Sequence, residues 1–292
     1  MEAACVYLRA MNEIQTLAVV GAGTMGLGIA QLGVQHGLPT VLFDLSTTAL
    51  EKAQTAIAAG LGKLVEKNKL TPAAREAALA RLTLTTELAD VRADCIVEAV
   101  VERLDVKHKL FQDLAASNGP ATILASNTSS LPITQLAAAV PGPERVVGLH
   151  FFNPAPLMPL VEVISGVATA PAVADAVEAL ARRLGKTPVR AADAPGFIVN
   201  RVARHYYVES LKALEENVAS FEVIDELLEA SGFKMGPFRL MDLIGVDTNF
   251  SVTSAMFASF HQDGKFRPSR VQQQKVDAGH HGRKTGRGFY TY

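Results

Sequence analysis

The chain contains 292 residues, enough for about two domains that each bury a core of their own. Hydrophobic residues make up 49% and charged residues 20%, which excludes a disordered chain. The 28 Lys and Arg residues balance 29 Asp and Glu residues, and the net charge of −1 leaves no cationic excess for nucleic acid, so we expect a soluble globular protein acting on small molecules.

The amino-terminal part of the chain shows no targeting or membrane signal. The apolar stretch of residues 18–38 contains six glycines and several polar residues, so we expect a packed turn and helix and no membrane-spanning segment. Residues 1–10 lack the apolar core of a signal peptide, and Met11 is an alternative start to Met1. The two cysteines, Cys5 and Cys95, are too few for a disulfide framework. We therefore expect a cytoplasmic location.

Short β-branched runs alternate with longer alanine-rich amphipathic stretches between residues 17 and 189. This alternation predicts an α/β fold with a doubly wound, mostly parallel sheet of the Rossmann type. The loop between the runs VVGLHFF and VEVIS is too short for a crossover, so we predict that these two strands are antiparallel.

The periodicity changes after Asp193, where a Pro-Gly pair breaks the chain. Beyond it the apolar residues follow helical spacings, and residues 221–230 and 246–260 are predicted helices. We therefore expect a Rossmann domain over residues 1–193 and an all-helical domain over residues 194–292.

A glycine-rich turn follows the first predicted strand and consists of Gly21, Ala22, Gly23, Thr24, Met25 and Gly26. In such a GxGxxG turn, the first glycine makes the tight turn, the second lets the backbone approach a pyrophosphate, and the third lets the helix pack on the strand. The free N–H groups of the helix N-terminus favour the phosphates. The alternative is a turn that binds no ligand, because glycine-rich turns are common.

Asp44 ends the second predicted strand, 18 residues after Gly26. This interval is close to the roughly 20 residues of dinucleotide-binding folds, in which the carboxylate accepts hydrogen bonds from the adenosine ribose. Asp44 would repel a 2′-phosphate, and Leu45 and Ser46 supply no arginine to bind one. We therefore expect NAD rather than NADP, with a solvated strand-end aspartate as the alternative.

Two residues of the next strands suit proton transfer. His150 ends the run VVGLH, and ligands of open α/β sheets bind at the carboxyl ends of strands. Glu162 lies between apolar neighbours in the following strand, where a charge is costly unless it is paired or exposed. A His–Glu pair suits alcohol oxidation by NAD, because the imidazole takes the hydroxyl proton and the carboxylate orients the ring. The alternative is a strand-end histidine and an exposed glutamate that do not interact.

Residues 126–130, SNTSS, also follow a predicted strand, and they either contact cofactor or substrate or cap the next helix. The marks of other dehydrogenase chemistries are missing. None of the five tyrosines begins a Tyr-x-x-x-Lys pair, and two scattered cysteines do not provide zinc ligands, so we expect no metal.

Seven segments together resemble one family, the L-3-hydroxyacyl-CoA dehydrogenases, including the 3-hydroxybutyryl-CoA dehydrogenases. They occur in the family's order from Leu17 to Tyr290 and are GAGTMGLGIA, EAVVERLDVKHKLF, ILASNTSSL, GLHFFNPAPLMPLVEVI, APGFIVNRV, GPFRLMDLIGVDT and GRKTGRGFY. The resemblance implies reversible, NAD-dependent oxidation of an L-3-hydroxyacyl-CoA to the 3-ketoacyl-CoA, as in β-oxidation or its reductive reverse. It also implies a homodimer formed through the helical domain.

The resemblance carries over to individual residues by their place in these motifs. It implies that His150 is the catalytic base and Glu162 its partner. It implies that Ser129 and Asn200 hold the 3-oxygen of the substrate. Implied cofactor contacts come from Asp44, Glu102, Lys107, Ser129 and Asn153.

Some assignments keep an alternative. The resemblance implies that Lys63 and Lys67 meet the CoA phosphates, although lysines four residues apart are also typical of a solvated helix face. Arg267 and Arg270 are either surface charges or contacts to a partner subunit or to a second carboxylate, as on 3-hydroxyadipyl-CoA. The competing functions are a dehydrogenase of a free hydroxy acid and a non-catalytic dinucleotide-binding relative.

Overall fold

A computed structural model describes residues 13–292. The alternative starts at Met1 and Met11, and also Cys5, lie outside the described residues. The chain divides into two compact units, the first ending at Ala194 and the second comprising Pro195–Tyr292.

The first unit is built on one sheet, in which the described residues form eight strands. These are β1 (Leu17–Val20), β2 (Thr40–Phe43), β3 (Leu82–Thr85), β4 (Cys95–Glu98), β5 (Ile123–Ser126), β6 (Val146–Phe151), β7 (Leu160–Ser165) and β8 (Thr187–Ala192). The strand order is β3-β2-β1-β4-β5-β6-β7-β8, and all pairs from β3 to β6 are parallel. The chain reverses its direction of winding at β1, the switch point at which α/β sheets bind nucleotides.

The last two strands run against the first six. β7 pairs antiparallel with β6, as predicted from the short loop, and β8 pairs parallel with β7. In the β6–β7 register, His150 stands opposite Glu162. Their strand neighbours Leu149, Val161 and Val163 are fully buried in the core, so the alternation of side chains directs the His–Glu pair to the other face of the sheet.

Helices of the first unit connect the strands. They are α1 (Thr24–Gln35), α2 (Thr47–Glu66), α3 (Pro72–Leu79), α4 (Leu104–Ser117), α5 (Ile133–Ala138) and α6 (Pro171–Arg183). α1 packs on β1 and β2, and α6 packs on β7 and β8. Short polar side chains begin two of these helices, because Ser46 and Thr71 accept backbone N–H bonds at the N-termini of α2 and α3.

The second unit is helical, apart from isolated bridges near its end. Its helices are α7 (Val199–Glu215), α8 (Phe221–Ala230), α9 (Pro237–Ile244), α10 (Val246–Ser259) and α11 (Arg270–Asp277). Tyr207, Leu211, Phe238 and Phe289 belong to its core. The predicted fold class, a Rossmann-type sheet followed by an all-helical part, is confirmed. Within residues 13–292, no helix is long and apolar enough to cross a membrane.

Candidate active site

His150 and Glu162 form a buried hydrogen-bonded pair. Nδ1 of His150 lies 2.8 Å from Oε2 of Glu162, and the two residues are 6% and 1% exposed. The Phe152 ring lies against the imidazole, with 4.5 Å between ring centroids. A buried carboxylate is stable beside such a donor but costly without one, which explains why an apolar strand tolerates Glu162. The structure therefore brings together the two residues that the sequence singled out for proton transfer.

The glycine turn has the geometry of a phosphate-binding loop. Gly21 has a φ of +105°, and a Cβ there would lie 2.7 Å from the carbonyl oxygen of Ala99. A Cβ on Gly26 would lie 1.7 Å from the carbonyl oxygen of Gly21, so the turn and α1 touch through backbone. A Cβ on Gly23, by contrast, would meet nothing within 4 Å. The open space at Gly23, where α1 begins, fits an approaching pyrophosphate.

Asp44 connects the end of β2 to this turn. Its Oδ2 accepts a hydrogen bond from the backbone N–H of Ala22 at 2.8 Å, and its Oδ1 accepts one from Ser46 at 2.9 Å. A carboxylate has about four acceptor positions, so room for ribose hydroxyls remains. Asp44, Gly21 and Gly23 line a cavity of about 620 Å³ together with apolar residues after β2 and β4. Its position at the carboxyl ends of β1, β2 and β4 fits the adenosine half of a dinucleotide.

A second buried cluster lies at the end of β4. Lys107 is 1% exposed, and its Nζ lies 2.6 Å from Glu98 and 3.0 Å from Glu102. Glu98 also accepts hydrogen bonds from the Ser126 hydroxyl at 2.6 Å and the Val100 N–H at 2.7 Å. The cluster joins β4, β5 and α4. The charge of Glu98 within an apolar strand is the same kind of signal that marked Glu162, so the need of Glu98 for a buried partner was open to prediction from the sequence.

Glu102 organises the loop that follows β5. Its carboxylate accepts hydrogen bonds from the Thr128 hydroxyl at 2.5 Å and from the backbone N–H groups of Ser129 and Ser130 at 3.0 and 3.2 Å. Burial raises the pKa of this carboxyl, but Lys107 and the Thr128 hydroxyl outweigh it, so the pKa stays below its usual value. Ser129 is therefore held in a fixed loop, as a residue that contacts a ligand requires.

Asn153 lies on the exposed loop after β6. Lys186 binds this loop, since its Nζ donates hydrogen bonds to the carbonyl oxygens of Ala155 at 2.6 Å and Met158 at 2.9 Å, and the residue is buried. Burial lowers the pKa of Lys186. The role of Lys186 leaves no signal in the sequence, because its partners are backbone carbonyl oxygens.

The remaining candidates lie elsewhere. Asn200 is the second residue of α7 in the second unit and is half-buried. Lys63 lies in the last turn of α2, and Lys67 caps its C-terminus, both of them exposed. Among residues 13–292, no group of three or more His, Cys, Asp or Glu side chains is arranged to hold a metal ion.

A doubly wound sheet with a glycine turn, a ribose-type aspartate and a buried His–Glu pair defines an NAD-dependent dehydrogenase. Two family descriptions match the chain in succession: 3-hydroxyacyl-CoA dehydrogenase, NAD binding domain, over residues 16–194, and 3-hydroxyacyl-CoA dehydrogenase, C-terminal domain, over residues 196–292. The chain therefore belongs to the 3-hydroxyacyl-CoA dehydrogenase family. The predicted family, enzyme class and cofactor NAD are confirmed.

Individual relatives agree with this placement. The chain is 50% identical to a 3-hydroxyadipyl-CoA dehydrogenase of Escherichia coli over 97% of its own length, but it spans only 60% of that longer relative. It is 44% identical to a probable 3-hydroxybutyryl-CoA dehydrogenase of Deinococcus radiodurans, covering 94% of this chain and 99% of the relative. A solved (S)-3-hydroxybutyryl-CoA dehydrogenase from Ralstonia eutropha superposes with a TM-score of 0.93 at 42% identity, covering 96% of this chain and 99% of that one.

Proposed function

We propose that this protein catalyses the reversible, NAD-dependent oxidation of L-3-hydroxyacyl-CoA to 3-ketoacyl-CoA, with His150 as general acid and base. The observation that carries the proposal is the buried hydrogen bond of 2.8 Å between His150 and Glu162, within a chain of this family. Such a reaction belongs to fatty-acid oxidation or to its reductive reverse.

His150 and Glu162 have different roles in the proposed reaction. Glu162 holds Nδ1 of His150, so the proton of the substrate hydroxyl moves to Nε2. The carboxylate then stabilises the imidazolium, because the attraction between opposite charges is stronger in the low dielectric of a buried site. Bound NAD supplies the hydride acceptor. In the reductive direction, the same imidazolium donates its proton to the developing alkoxide.

Further residues complete the proposed site. We assign the 3-oxygen of the substrate to the Ser129 hydroxyl and the Asn200 amide, which are hydrogen-bond donors of the type that polarises a carbonyl. We assign cofactor contacts to the glycine turn with Thr24 and Met25, and to Asp44, Glu102, Lys107, Ser129 and Asn153. Lys63 and Lys67 are assigned to the CoA phosphates, which their exposure at the end of α2 supports.

The test is the oxidation of NADH, followed by its absorbance, with acetoacetyl-CoA as substrate. We expect rapid turnover with acetoacetyl-CoA and little with free acetoacetate or with NADPH. Turnover of the free acid at a comparable rate would indicate a dehydrogenase of free hydroxy acids. If NADH binds but no 3-ketoacyl-CoA of any chain length is reduced, the protein is a non-catalytic relative and the proposal is wrong.

A second candidate substrate is a dicarboxylic 3-hydroxyacyl-CoA. The observation that favours it is the identity of 50% with the Escherichia coli relative named 3-hydroxyadipyl-CoA dehydrogenase. Both substrates use the same 3-hydroxyl chemistry and differ in the far end of the acyl chain. Turnover of 3-hydroxyadipyl-CoA beside 3-hydroxybutyryl-CoA distinguishes the two.

The cofactor preference depends on the charge of Asp44. We expect Asp44→Asn to raise kcat/KM for NADP relative to NAD by about tenfold, equivalent to about 1.4 kcal/mol, because the variant no longer repels a 2′-phosphate. The amide oxygen can still accept the Ala22 N–H of the glycine turn, while the hydrogen bond from the Ser46 N–H is lost. The measurement is the ratio of the two kcat/KM values. An unchanged ratio contradicts the ribose contact.

We also propose a homodimer formed through the second unit. Val223 and Leu227 lie one turn apart on α8 and are 53% and 68% exposed. Large exposed apolar side chains that lie together mark interaction surfaces. We expect sedimentation velocity to show a dimer, and Leu227→Lys to raise its dissociation constant at least about tenfold. A monomeric parent protein contradicts this proposal, and Val167→Lys on the first unit is the control.

We place the protein in the cytoplasm. The low cysteine content and the buried, free thiol of Cys95 support this location.

A further inference from the structure

An arginine in the second unit is buried without an acidic partner. Arg204 lies on α7 and is 3% exposed. Its Nη1 donates to the backbone carbonyl of Asn249 at 3.2 Å and to the Thr253 hydroxyl at 3.0 Å. Its Nε is buried with no hydrogen-bond partner in the described part of the chain. No Asp or Glu of residues 13–292 forms an ion pair with this guanidinium.

The surroundings of Arg204 are polar but neutral. Asn249 and Thr253 on α10 accept its bonds, and Gln272 on α11 donates to the Asn249 side chain at 2.9 Å. The Tyr207 ring lies 5.2 Å from the guanidinium carbon. Burial lowers the pKa of Arg204 to about 10, which the Tyr207 hydroxyl partly offsets. A buried cation without an anion is unfavourable, so the site is electrostatically incomplete as it stands.

The place of Arg204 on α7 suggests which anion completes the site. Arg204 follows Asn200 by four residues, so both side chains project from the same face of the helix, about 5–6 Å apart at their Cβ atoms. Asn200 is the residue that we assign to the 3-oxygen of the substrate. In a six-carbon dicarboxylic chain, three C–C bonds of about 1.5 Å separate C3 from the distal carboxylate carbon, a distance of about 4 Å. The spacing of the two Cβ atoms and the length of this part of the substrate are therefore of the same order.

We propose that Arg204 binds the distal carboxylate of a dicarboxylic 3-hydroxyacyl-CoA and makes this enzyme selective for such substrates. This inference rests on the proposed function, because it takes the position of the 3-oxygen from Asn200. A guanidinium fork matches a carboxylate in shape, and their hydrogen bonds are charge-assisted. Arg267 and Arg270, the arginines that the sequence offered for this role, are both exposed, where water and salt weaken such a bond.

The experiment compares two six-carbon substrates, 3-hydroxyadipyl-CoA and 3-hydroxyhexanoyl-CoA, with NAD as cofactor. We expect the parent enzyme to favour the dicarboxylic substrate in kcat/KM by about 10- to 100-fold, the range for hydrogen bonds to charged groups. Arg204→Met removes this preference, mainly by raising KM for 3-hydroxyadipyl-CoA. The same variant raises kcat/KM for 3-hydroxyhexanoyl-CoA several-fold. Arg204→Lys, which keeps the charge but not the fork, retains part of the preference.

Thermal unfolding separates this role from a structural one. If Arg204 serves substrate specificity and its charge is uncompensated, the Arg204→Met variant should melt at the same temperature as the parent or higher. If the arginine has a structural role, the variant should melt at a lower temperature. Arg267→Met is the matched control and should leave the substrate preference unchanged.

Three outcomes would overturn the inference. They are a parent enzyme without dicarboxylic preference, an Arg204→Met variant that keeps it, and an Arg204→Met variant with a changed oligomeric state, which would assign the arginine to a subunit contact. The proposed function itself fails only if NADH binds but no acyl-CoA substrate of any chain length, acetoacetyl-CoA included, is turned over.

Discussion

Replacing His150 by alanine is expected to lower kcat by about 10²–10⁴-fold, the usual contribution of a positioned general acid–base group. The imidazole is buried and its Nδ1 lies 2.8 Å from Oε2 of Glu162, so alanine removes both the proton acceptor and the partner of this carboxylate. The glycine turn lies on other strands, so the dissociation constant of NADH should change less than about twofold. The measurements are steady-state kinetics with acetoacetyl-CoA and NADH binding by fluorescence.

Two further variants show that the effect belongs to this pair. Glu162→Gln keeps the shape of the partner but removes its charge, so kcat should fall although the protein remains folded. His280→Ala, a half-buried histidine in the second unit, is the control and should keep full activity. If the His150→Ala variant turns over at the parent rate, the assignment of the base is wrong.

The second large effect is expected at the glycine turn. Replacement of Gly26 by alanine should lower the stability of the fold, whereas replacement of Gly23 by alanine should lower the affinity for NAD. A methyl group at Gly26 would meet the Gly21 carbonyl oxygen at 1.7 Å, so Gly26→Ala should destabilise the fold by about 1–3 kcal/mol or prevent folding. A methyl group at Gly23 would meet nothing within 4 Å, so Gly23→Ala should melt like the parent. It would nevertheless fill the space proposed for the pyrophosphate, and we expect NAD to bind at least about tenfold more weakly.

The measurements for this pair are thermal unfolding and the dissociation constant of NADH for each variant. Gly119→Ala, whose added methyl group also has open space, is the control and should change neither quantity. Unchanged NADH binding by Gly23→Ala would place the pyrophosphate elsewhere. A Gly26→Ala variant as stable as the parent would show that the turn relaxes around the added methyl group.

Part of the site could be predicted because the residues that interact lie close together in the sequence. Glu162 was identifiable because a charge inside an apolar strand requires a partner, and the short preceding loop predicted which strand supplied it. Glu98 carries the same signal, but its partner Lys107 lies on α4, and no short loop indicates that pairing. Lys186 binds the loop after β6 through backbone carbonyls, which a sequence pattern does not reveal.

The helical part of the chain was less informative. Asn200 came from family resemblance, because an asparagine near the start of a helix has many ordinary explanations. Arg204 reads in the sequence as a charge on an amphipathic helix, and only its burial and missing acidic partner distinguish it from Arg267. The charges and the helical period of a sequence indicate which face of a helix is polar. Whether a charged side chain on that helix has an ion-pair partner depends on how the helices pack, so only the structure shows it.

The antiparallel pairing of β6 with β7 also limits how this part of the protein can evolve. Successive side chains of a strand alternate between faces, so a slip of one residue would turn Glu162 into the apolar core and bring Val161 or Val163 opposite the imidazole. Insertions and deletions between the two strands are therefore tolerable only where the loop absorbs them completely. Natural variation in length should accumulate at the exposed residues 157–159 and stop where each strand begins.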